Sequence, residues 1–105
     1  MVQLKPMKFD NELVMGIEVQ LPKTNLLIVA TDIGYIMCGA LDIDLLNTRL
    51  ADRDIVAGRA VGVKTMEELL EAPLESVTHS AEKHGIQPGM TGRQAVQKML
   101  DRATA

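Results

Sequence analysis

The stretch LLIVATDIGYIMCGAL, residues 26–41, contains two apolar runs separated by a turn signal. Leu26 to Thr31 is a continuous apolar run of strand length. A second run, Tyr35 to Leu41, follows Asp32-Ile33-Gly34, whose glycine permits a positive φ. The pattern predicts a hairpin of two buried strands. Because these strands are apolar on both faces, both faces of the hairpin need a cover.

Two further strands are predicted before this hairpin. Val2 to Phe9 reads as extended, but Pro6 cannot donate to a ladder and therefore favours a position at the edge of the sheet. After the turn signal Asp10-Asn11, Glu12 to Leu21 alternates between apolar and more polar residues with a period of two. The apolar set comprises Leu13, Met15, Ile17, Val19 and Leu21. This alternation predicts a strand with one wet face.

A helix and a fifth strand are predicted after the hairpin. Ile43 to Arg53 has apolar residues at helical spacing, and Asp42 is well placed to cap its first turn. Ile55 to Val63 returns to a strand pattern. The glycines within it, Gly58 and Gly62, suggest a bulge or a close approach of another part of the chain.

The last forty residues predict short helices. Thr65–Glu68 has the capping-box pattern, in which a threonine hydroxyl and a glutamate three residues later satisfy each other's backbone N–H groups. Pro73 suits the first turn of a following helix, and Gly85 is a typical stop after His84. Thr91–Gln94 repeats the capping-box pattern before a final amphipathic segment.

This order of elements predicts an α+β fold. We expect a largely antiparallel sheet of about five strands with three to four short helices mainly on one face. The length of 105 residues fits a single domain spanning residues 1–105. Because the hairpin strands are apolar on both faces, the helices alone leave the second face in need of cover. Association of subunits would supply it, so the sequence predicts a homo-oligomer.

Composition argues against several classes of partner. The net charge is -3, the 11 Lys and Arg residues are scattered, and only 2% of residues are aromatic, so we expect no nucleic-acid partner. We find neither a charged leader with a cleavage site nor an apolar run of about 18 residues, so we expect no membrane segment. The single cysteine favours a reducing, cytoplasmic setting.

Several segments resemble the YunC-like family of small bacterial and archaeal proteins. The matching strings are LPKTN (21–25), GYIMCGALD (34–42), DIVAGRAVGV (54–63), APLESVT (72–78) and GMTGR (89–93). The residues of this fingerprint are Lys23, Thr24, Asn25, Gly34, Tyr35, Cys38, Gly39, Asp42, Asn47, Gly58 and Arg59. The resemblance covers essentially the whole chain and implies a small, free-standing domain. It implies no catalytic residue, because the family is classed as a domain of unknown function.

Cys38 is the candidate nucleophile. A reactive thiol needs a nearby cation, a histidine base or a helix N-terminus. His79 and His84 are five residues apart on the predicted helix, so at most one of them could reach a thiol. The same spacing lacks metal-ligand geometry, so we expect no metal site. The alternative is that Cys38 is a small core residue on the strand face that carries Ile36 and Ala40.

Arg59 stands in an otherwise apolar strand and needs a partner. Candidate partners are the carboxylates of Asp32, Asp42 or Asp44, and equally the carboxylate or phosphate of a ligand. Arginine is favoured for such bidentate pairs. The sequence therefore leaves two interpretations open. Arg59 forms a structural pair, within the chain or across a subunit interface, or it recognises a ligand.

Two polar segments are candidates for anion binding. Residues 58–65, GRAVGVKT, lack the spacing of a nucleotide phosphate loop, because Val63 intrudes. Gly62, Lys64 and a helix starting at Thr65 could still hold a smaller anion, or could form an ordinary strand-to-helix turn. Lys23-Thr24-Asn25 is a polar loop that either carries function or simply supplies turn chemistry.

The hypothesis that best joins these features is a cytoplasmic, homo-oligomeric module that binds a small polar or anionic ligand or acts in regulation. Its candidate ligand-binding residues are Lys23, Thr24, Asn25, Tyr35, Gly39, Asp42 and Arg59. Tyr35 and Cys38 are an odd number of residues apart, so a regular strand points them to opposite faces. The rival hypotheses are an enzyme that uses Cys38, with Tyr35 or a histidine assisting, and a purely structural protein partner. The sequence specifies neither a substrate nor a cofactor.

Overall fold

The predicted hairpin lies inside a mixed β-sheet. The structure, a computed structural model, describes residues 2–9, 12–39, 43–49 and 51–104. Within these residues the sheet has six strands, hydrogen-bonded in the order in which they occur along the chain. They are β1 (Val2–Phe9), β2 (Glu12–Leu21), β3 (Thr24–Ala30), β4 (Gly34–Met37), β5 (Val56–Arg59) and β6 (Ser76–Val77). This confirms an α+β fold, with one strand more than the sequence predicted.

Four α-helices and one 3₁₀ turn complete the described elements. The helices are α1 (Ile43–Thr48), α2 (Met66–Glu71), α3 (His79–Lys83) and α4 (Gly92–Thr104), and the 3₁₀ turn is Ala51–Arg53. Both predicted capping boxes are present: Thr65 with Glu68 at the start of α2, and Thr91 with Gln94 at the start of α4. The predicted turn at residues 10–11 and the predicted helix cap Asp42 lie outside the described residues.

Strand pairing is antiparallel except at one place. β4 and β5 run parallel and are joined by α1, as a parallel pair requires a crossover. The first position of this pair is Gly34 beside Val56, and a Cβ at Gly34 would collide with the Val56 carbonyl oxygen. Glycine is therefore needed for these two strands to approach. β1 lies at the edge of the sheet, where Pro6 is tolerated, as predicted.

The main core lies between the sheet and the helices α2, α3 and α4. Its largest buried apolar side chains come from β3, β4, the helices α2 and α4, and the loop between α3 and α4: Leu27, Val29, Ile36, Leu69, Ile86, Val96 and Met99. A smaller cluster lies on the other face of the sheet, where Ile43 and Leu46 of α1 pack on Ala57 of β5. The prediction that the helices lie mainly on one face is therefore confirmed.

The prediction of one helix from Pro73 to His84 is wrong. Pro73 bridges to Thr91, Ser76–Val77 forms β6 against β5, and the helix begins only at His79. The reason is Thr78, whose buried hydroxyl donates to the Ile55 carbonyl at 2.6 Å and accepts from the Ala57 N–H at 3.1 Å. These long-range bonds hold the segment extended, and Thr78 then caps α3.

The faces of β2 differ from the simple expectation that the more apolar set is the buried one. Val14 and Gly16 face the main core, whereas Leu13 and Met15 of the apolar set are exposed. Gly16 has no side chain, so Met7 and Met66 approach it closely. Within one chain, the exposed face of β2 is therefore the apolar one, and its more polar face contains the residues that turn to the core.

Candidate functional site

Sheet topology brings three separate polar segments to one end of the molecule. Because β4 and β5 are parallel, their carboxyl ends lie at the same edge, which places residues 38–39 beside residues 60–64. β3 runs antiparallel to β4, so the start of β3 at Thr24 lies at that edge as well. Crevices outside the carboxyl ends of parallel strands are frequent ligand sites. This edge is therefore where a site is to be sought.

A cleft of about 540 Å³ opens at this edge. It lies between the β2–β3 turn and the segment that joins β5 to α2. The lining residues are Leu21, Lys23, Thr24, Asn25, Gly62, Val63 and Lys64. Two lysines and two polar side chains therefore meet in one concavity, and no carboxylate is among the described residues that line it. The cleft therefore has two cationic side chains in its lining, in a chain whose net charge is -3.

The β2–β3 turn holds Lys23 in an unusual conformation. Leu21 and Thr24 are paired, so the turn consists of Pro22 and Lys23 alone. Lys23 has a φ of 69°, in the left-handed region that glycine or asparagine normally fills after a proline in such a turn. Asn25, a residue type that tolerates this conformation, lies instead in β3 opposite Gln20. A residue with a Cβ in this conformation carries a backbone strain of about 1–2 kcal/mol.

The N-terminus of α2 is occupied by its own side chain. The Glu68 carboxylate accepts from the N–H of Lys64 at 2.7 Å and from the N–H of Thr65 at 3.1 Å. These backbone donors are therefore not free for an external anion. What this segment offers to the cleft is the side chain of Lys64 and the open backbone at Gly62, which has a φ of 76° and empty space on its Cβ side.

Arg59 lies outside the lining of the cleft and is engaged within the chain. Its Nε and Nη2 donate to the Gly39 carbonyl at 3.2 and 3.0 Å, and its Nη1 donates to both carboxylate oxygens of Glu75 at 3.3 and 3.2 Å. The partner is thus Glu75, which the sequence prediction missed in favour of Asp32, Asp42 or Asp44. Asp42 itself lies outside the described residues. Arg59 joins the end of β4 to the segment before β6, and its pair with Glu75 is partly exposed.

Cys38 is a core residue in this structure. Its side chain is 6% exposed, and its Sγ accepts from the Leu27 N–H at 3.4 Å and lies 3.9 Å from the Asn25 carbonyl oxygen. The sulfur is therefore buried behind β3. This geometry agrees with the interpretation of Cys38 as a small hydrophobic residue.

Tyr35 and Cys38 contact different clusters. Tyr35 packs against Ile43 and Leu46 of α1, whereas Cys38 belongs to the core below α2 and α4. Burial raises the pKa of the Tyr35 hydroxyl. A separate hollow of about 340 Å³ adjoins Tyr35 at the opposite end of β4. The predicted ligand-binding residues therefore do not form one site. Lys23, Thr24 and Asn25 line the cleft, whereas Gly39 and Arg59 bond to each other outside its lining and Tyr35 adjoins a different hollow.

Sequence reasoning placed Lys23 and Lys64 in separate candidate sites. The signal that could have joined them is topological: both follow strands whose ends meet at one edge of the sheet.

Among the described residues, no group of three or more His, Cys, Asp and Glu side chains is arranged to hold a metal ion. None of the described helices is long and apolar enough to cross a membrane.

Comparisons with known proteins agree with the resemblance seen in the motifs. A family described as Domain of unknown function (DUF1805) matches residues 37–99. The chain is 57% identical over 100 residues to Uncharacterized protein YunC of Bacillus subtilis (strain 168), which covers 95% of this chain and 99% of that protein. The crystal structure of TA1206 from Thermoplasma acidophilum, described as a protein of unknown function, has a TM-score of 0.83 and 28% identity over 93% of this chain and 92% of the other. The chain therefore belongs to the YunC-like family, which carries the DUF1805 domain.

Proposed function

We propose that this protein is a homo-oligomeric module that binds a small anionic ligand in the cleft between Lys23 and Lys64. The observation that carries the proposal is that both lysines line one concavity of about 540 Å³, together with Thr24 and Asn25 and without a described carboxylate. Pockets of this volume suit small molecules. A nucleic-acid partner forms no part of the proposal, because the chain is acidic and has 2% aromatic residues.

The chemistry of the lining favours an organic anion. Two ammonium groups attract a phosphate or a carboxylate, and the Thr24 hydroxyl and Asn25 amide are of the types that fix its orientation through hydrogen bonds. Leu21 and Val63 add apolar surface for a carbon skeleton. The cytoplasmic setting stays part of the proposal, on the ground of the one unpaired cysteine, Cys38.

Inorganic phosphate and citrate are suitable probes of this cleft. We expect each anion to shift the backbone amide NMR signals of Thr24, Asn25, Gly62 and Lys64 in a saturable way. The variants Lys23→Gln and Lys64→Gln should each raise the apparent Kd about tenfold, because each removes one of the two charges. The matched control is Lys83→Gln, which removes the same charge from the exposed end of α3.

The titrations of wild type and of the three variants decide the proposal. If the wild-type signals do not move, or if Lys83→Gln weakens binding as much as Lys64→Gln does, the cleft is not an anion site. Sodium chloride at equal ionic strength is the control for general screening. Screening would move signals across the whole surface, and sodium chloride would cause the same shifts as phosphate or citrate.

The backbone of Lys23 offers a second, independent test. Replacement by glycine relieves the left-handed strain, so Lys23→Gly should raise the free energy of unfolding by about 0.5–1 kcal/mol. The same variant should weaken phosphate binding, because the ammonium group is lost. A gain in stability with a loss of binding is typical of a residue kept for function. A Lys23→Gly variant that is less stable than wild type would remove this support.

A further inference from the structure

The sheet face turned away from α2, α3 and α4 is apolar and largely uncovered. Of the seven large hydrophobic side chains that are exposed among the described residues, five lie on β1 and β2. They are Val2, Leu4, Leu13, Met15 and Leu21. Leu4 is 62% exposed and Leu13 is 68% exposed, values that are unusual for leucines in the strands of a sheet.

These side chains form one continuous surface. The register aligns Leu4 with Ile17 and Ile28, and Val2 with Val19 and Leu26, across three neighbouring strands. Paired residues in a sheet point to the same face. We call this surface the β1–β3 face; its members are Val2, Leu4, Pro6, Leu13, Met15, Ile17, Val19, Leu21, Leu26, Ile28 and Ala30. Helix α1 packs on the same side of the sheet, but its apolar contacts lie on β4 and β5.

The size of the face fits a subunit interface. With strands about 30 Å long and three strands about 4.8 Å apart, its projected area is on the order of 400 Å². The largest apolar patch of an ordinary monomer is about 300–600 Å² and is often functional. Side-chain relief raises the accessible area above the projected one, so two copies of the face would bury on the order of 1,000 Å², the lower limit for a specific interface.

We infer that the β1–β3 face packs against the same face of a second copy of this chain. Two sheets packed in this way lie about 10 Å apart and bury both apolar faces. The inference rests on the homo-oligomeric part of the proposed function and names its surface. This surface borders the cleft at Leu21 but includes neither Lys23 nor Lys64. A two-fold axis through Ile17 and Ile28 would place apolar residues of one copy on apolar residues of the other.

Charge favours a second copy over a membrane surface. Lys8 is the one charged residue among the described residues of β1–β3 that point to this face. It lies at the margin of the face, opposite Leu13. The face therefore carries no charge in its centre that would be repelled by its own copy. A lipid surface is bound through apolar residues set among several basic side chains, and this chain has a net charge of -3.

Sedimentation and light scattering of glutamate variants test the inference. Leu13→Glu and Leu4→Glu each place a charge in the β1–β3 face at an exposed position, so the fold of the single chain is kept. The matched control is Gln87→Glu, which adds the same charge in the exposed loop before α4. We expect wild type and Gln87→Glu to have at least twice the 11.5 kDa mass of one chain. Each leucine variant should raise the dissociation constant at least tenfold.

The outcomes separate this inference from the anion site. A wild-type protein that is monomeric at all concentrations overturns it, and so does an oligomer that both leucine variants leave intact. If the wild-type protein is a monomer that binds vesicles of anionic lipid, and Leu13→Glu abolishes this binding, the β1–β3 face is a membrane-binding surface and the inference is also overturned. Far-ultraviolet circular dichroism checks that each variant is folded. Phosphate binding to monomeric Leu13→Glu would show that the cleft functions whether or not the inference holds.

Discussion

Removal of the Thr78 hydroxyl should destabilise the fold more than most single substitutions. Thr78 is 2% exposed, and its hydroxyl forms hydrogen bonds with three backbone groups. Two of these groups are more than twenty residues away in the sequence, and the third lies at the start of α3. It donates to the Ile55 carbonyl at 2.6 Å and accepts from the N–H groups of Ala57 at 3.1 Å and Ala81 at 3.2 Å. In Thr78→Val the shape is kept, but these three groups lose their partner.

The magnitude follows from the groups left without a partner. A buried donor or acceptor without a hydrogen bond costs about 1–3 kcal/mol, and loss of a helix N-cap costs about 1 kcal/mol. Because the Ala81 N–H is the capped group, these contributions overlap, and we expect Thr78→Val to lower the free energy of unfolding by about 3–5 kcal/mol. That is a large share of the 5–15 kcal/mol that is typical of a domain.

Equilibrium unfolding in urea measures this loss directly, with Thr78→Ser as the matched control. Serine keeps the hydroxyl and removes one methyl group, so its cost should stay near 1 kcal/mol. We expect the unfolding temperature of Thr78→Val to fall by more than about 10 °C, since a small domain loses about 4–8 °C per kcal/mol. If valine and serine cost the same, or if valine costs less than about 1 kcal/mol, the hydroxyl does not have the role described.

Three further predictions concern Cys38, Tyr35 and Glu75. Because the Cys38 sulfur is buried behind Leu27, native protein should resist iodoacetamide at neutral pH and react on unfolding; rapid alkylation of the native protein would instead support a thiol enzyme. Burial raises the pKa of the Tyr35 hydroxyl above its ordinary 10.0, because folding favours the neutral hydroxyl. The contribution of this neutral hydroxyl to the free energy of unfolding is fully present below pH 10 and is lost as the pH rises through the folded-state pKa. Comparison of wild type with Tyr35→Phe in alkaline unfolding experiments measures that loss, and tyrosinate absorbance reports this single tyrosine directly. The Arg59–Glu75 pair is partly exposed, so Glu75→Gln should cost less than about 1 kcal/mol in urea unfolding, and a larger cost would show that the pair is better shielded from solvent than its exposure indicates.

Local patterns were sufficient for most of the elements. The period of two predicts β2, the apolar runs predict β3 and β4, and the two capping boxes mark the starts of α2 and α4. These features depend on residues within four positions of one another, so the sequence contains them directly. The segment 73–84 is different, because its apolar spacing fits a helix while the bonds of Thr78 to β5 hold its first half extended.

The candidate site was predictable only in part. Lys23, Thr24 and Asn25 stand out in the sequence as a polar loop between apolar strands, and they line the cleft. Lys64 stands about forty residues later, and its place beside Lys23 depends on the parallel pairing of β4 with β5. The partner of Arg59 was missed for the same reason, since Glu75 comes close only when β6 pairs with β5.

The sequence was sufficient for the class of fold, the strands β1 to β5, the two capping boxes and the family. It also determined that Leu13 and Met15 share one face of β2, because alternate residues of a strand always do. Which face the helices cover depends on the three-dimensional packing: Val14 and Gly16 turn inward, and the β1–β3 face is left for solvent or for a partner. Periodicity fixes relations within an element, whereas the buried face of β2 is set by helices that begin fifty or more residues later in the chain.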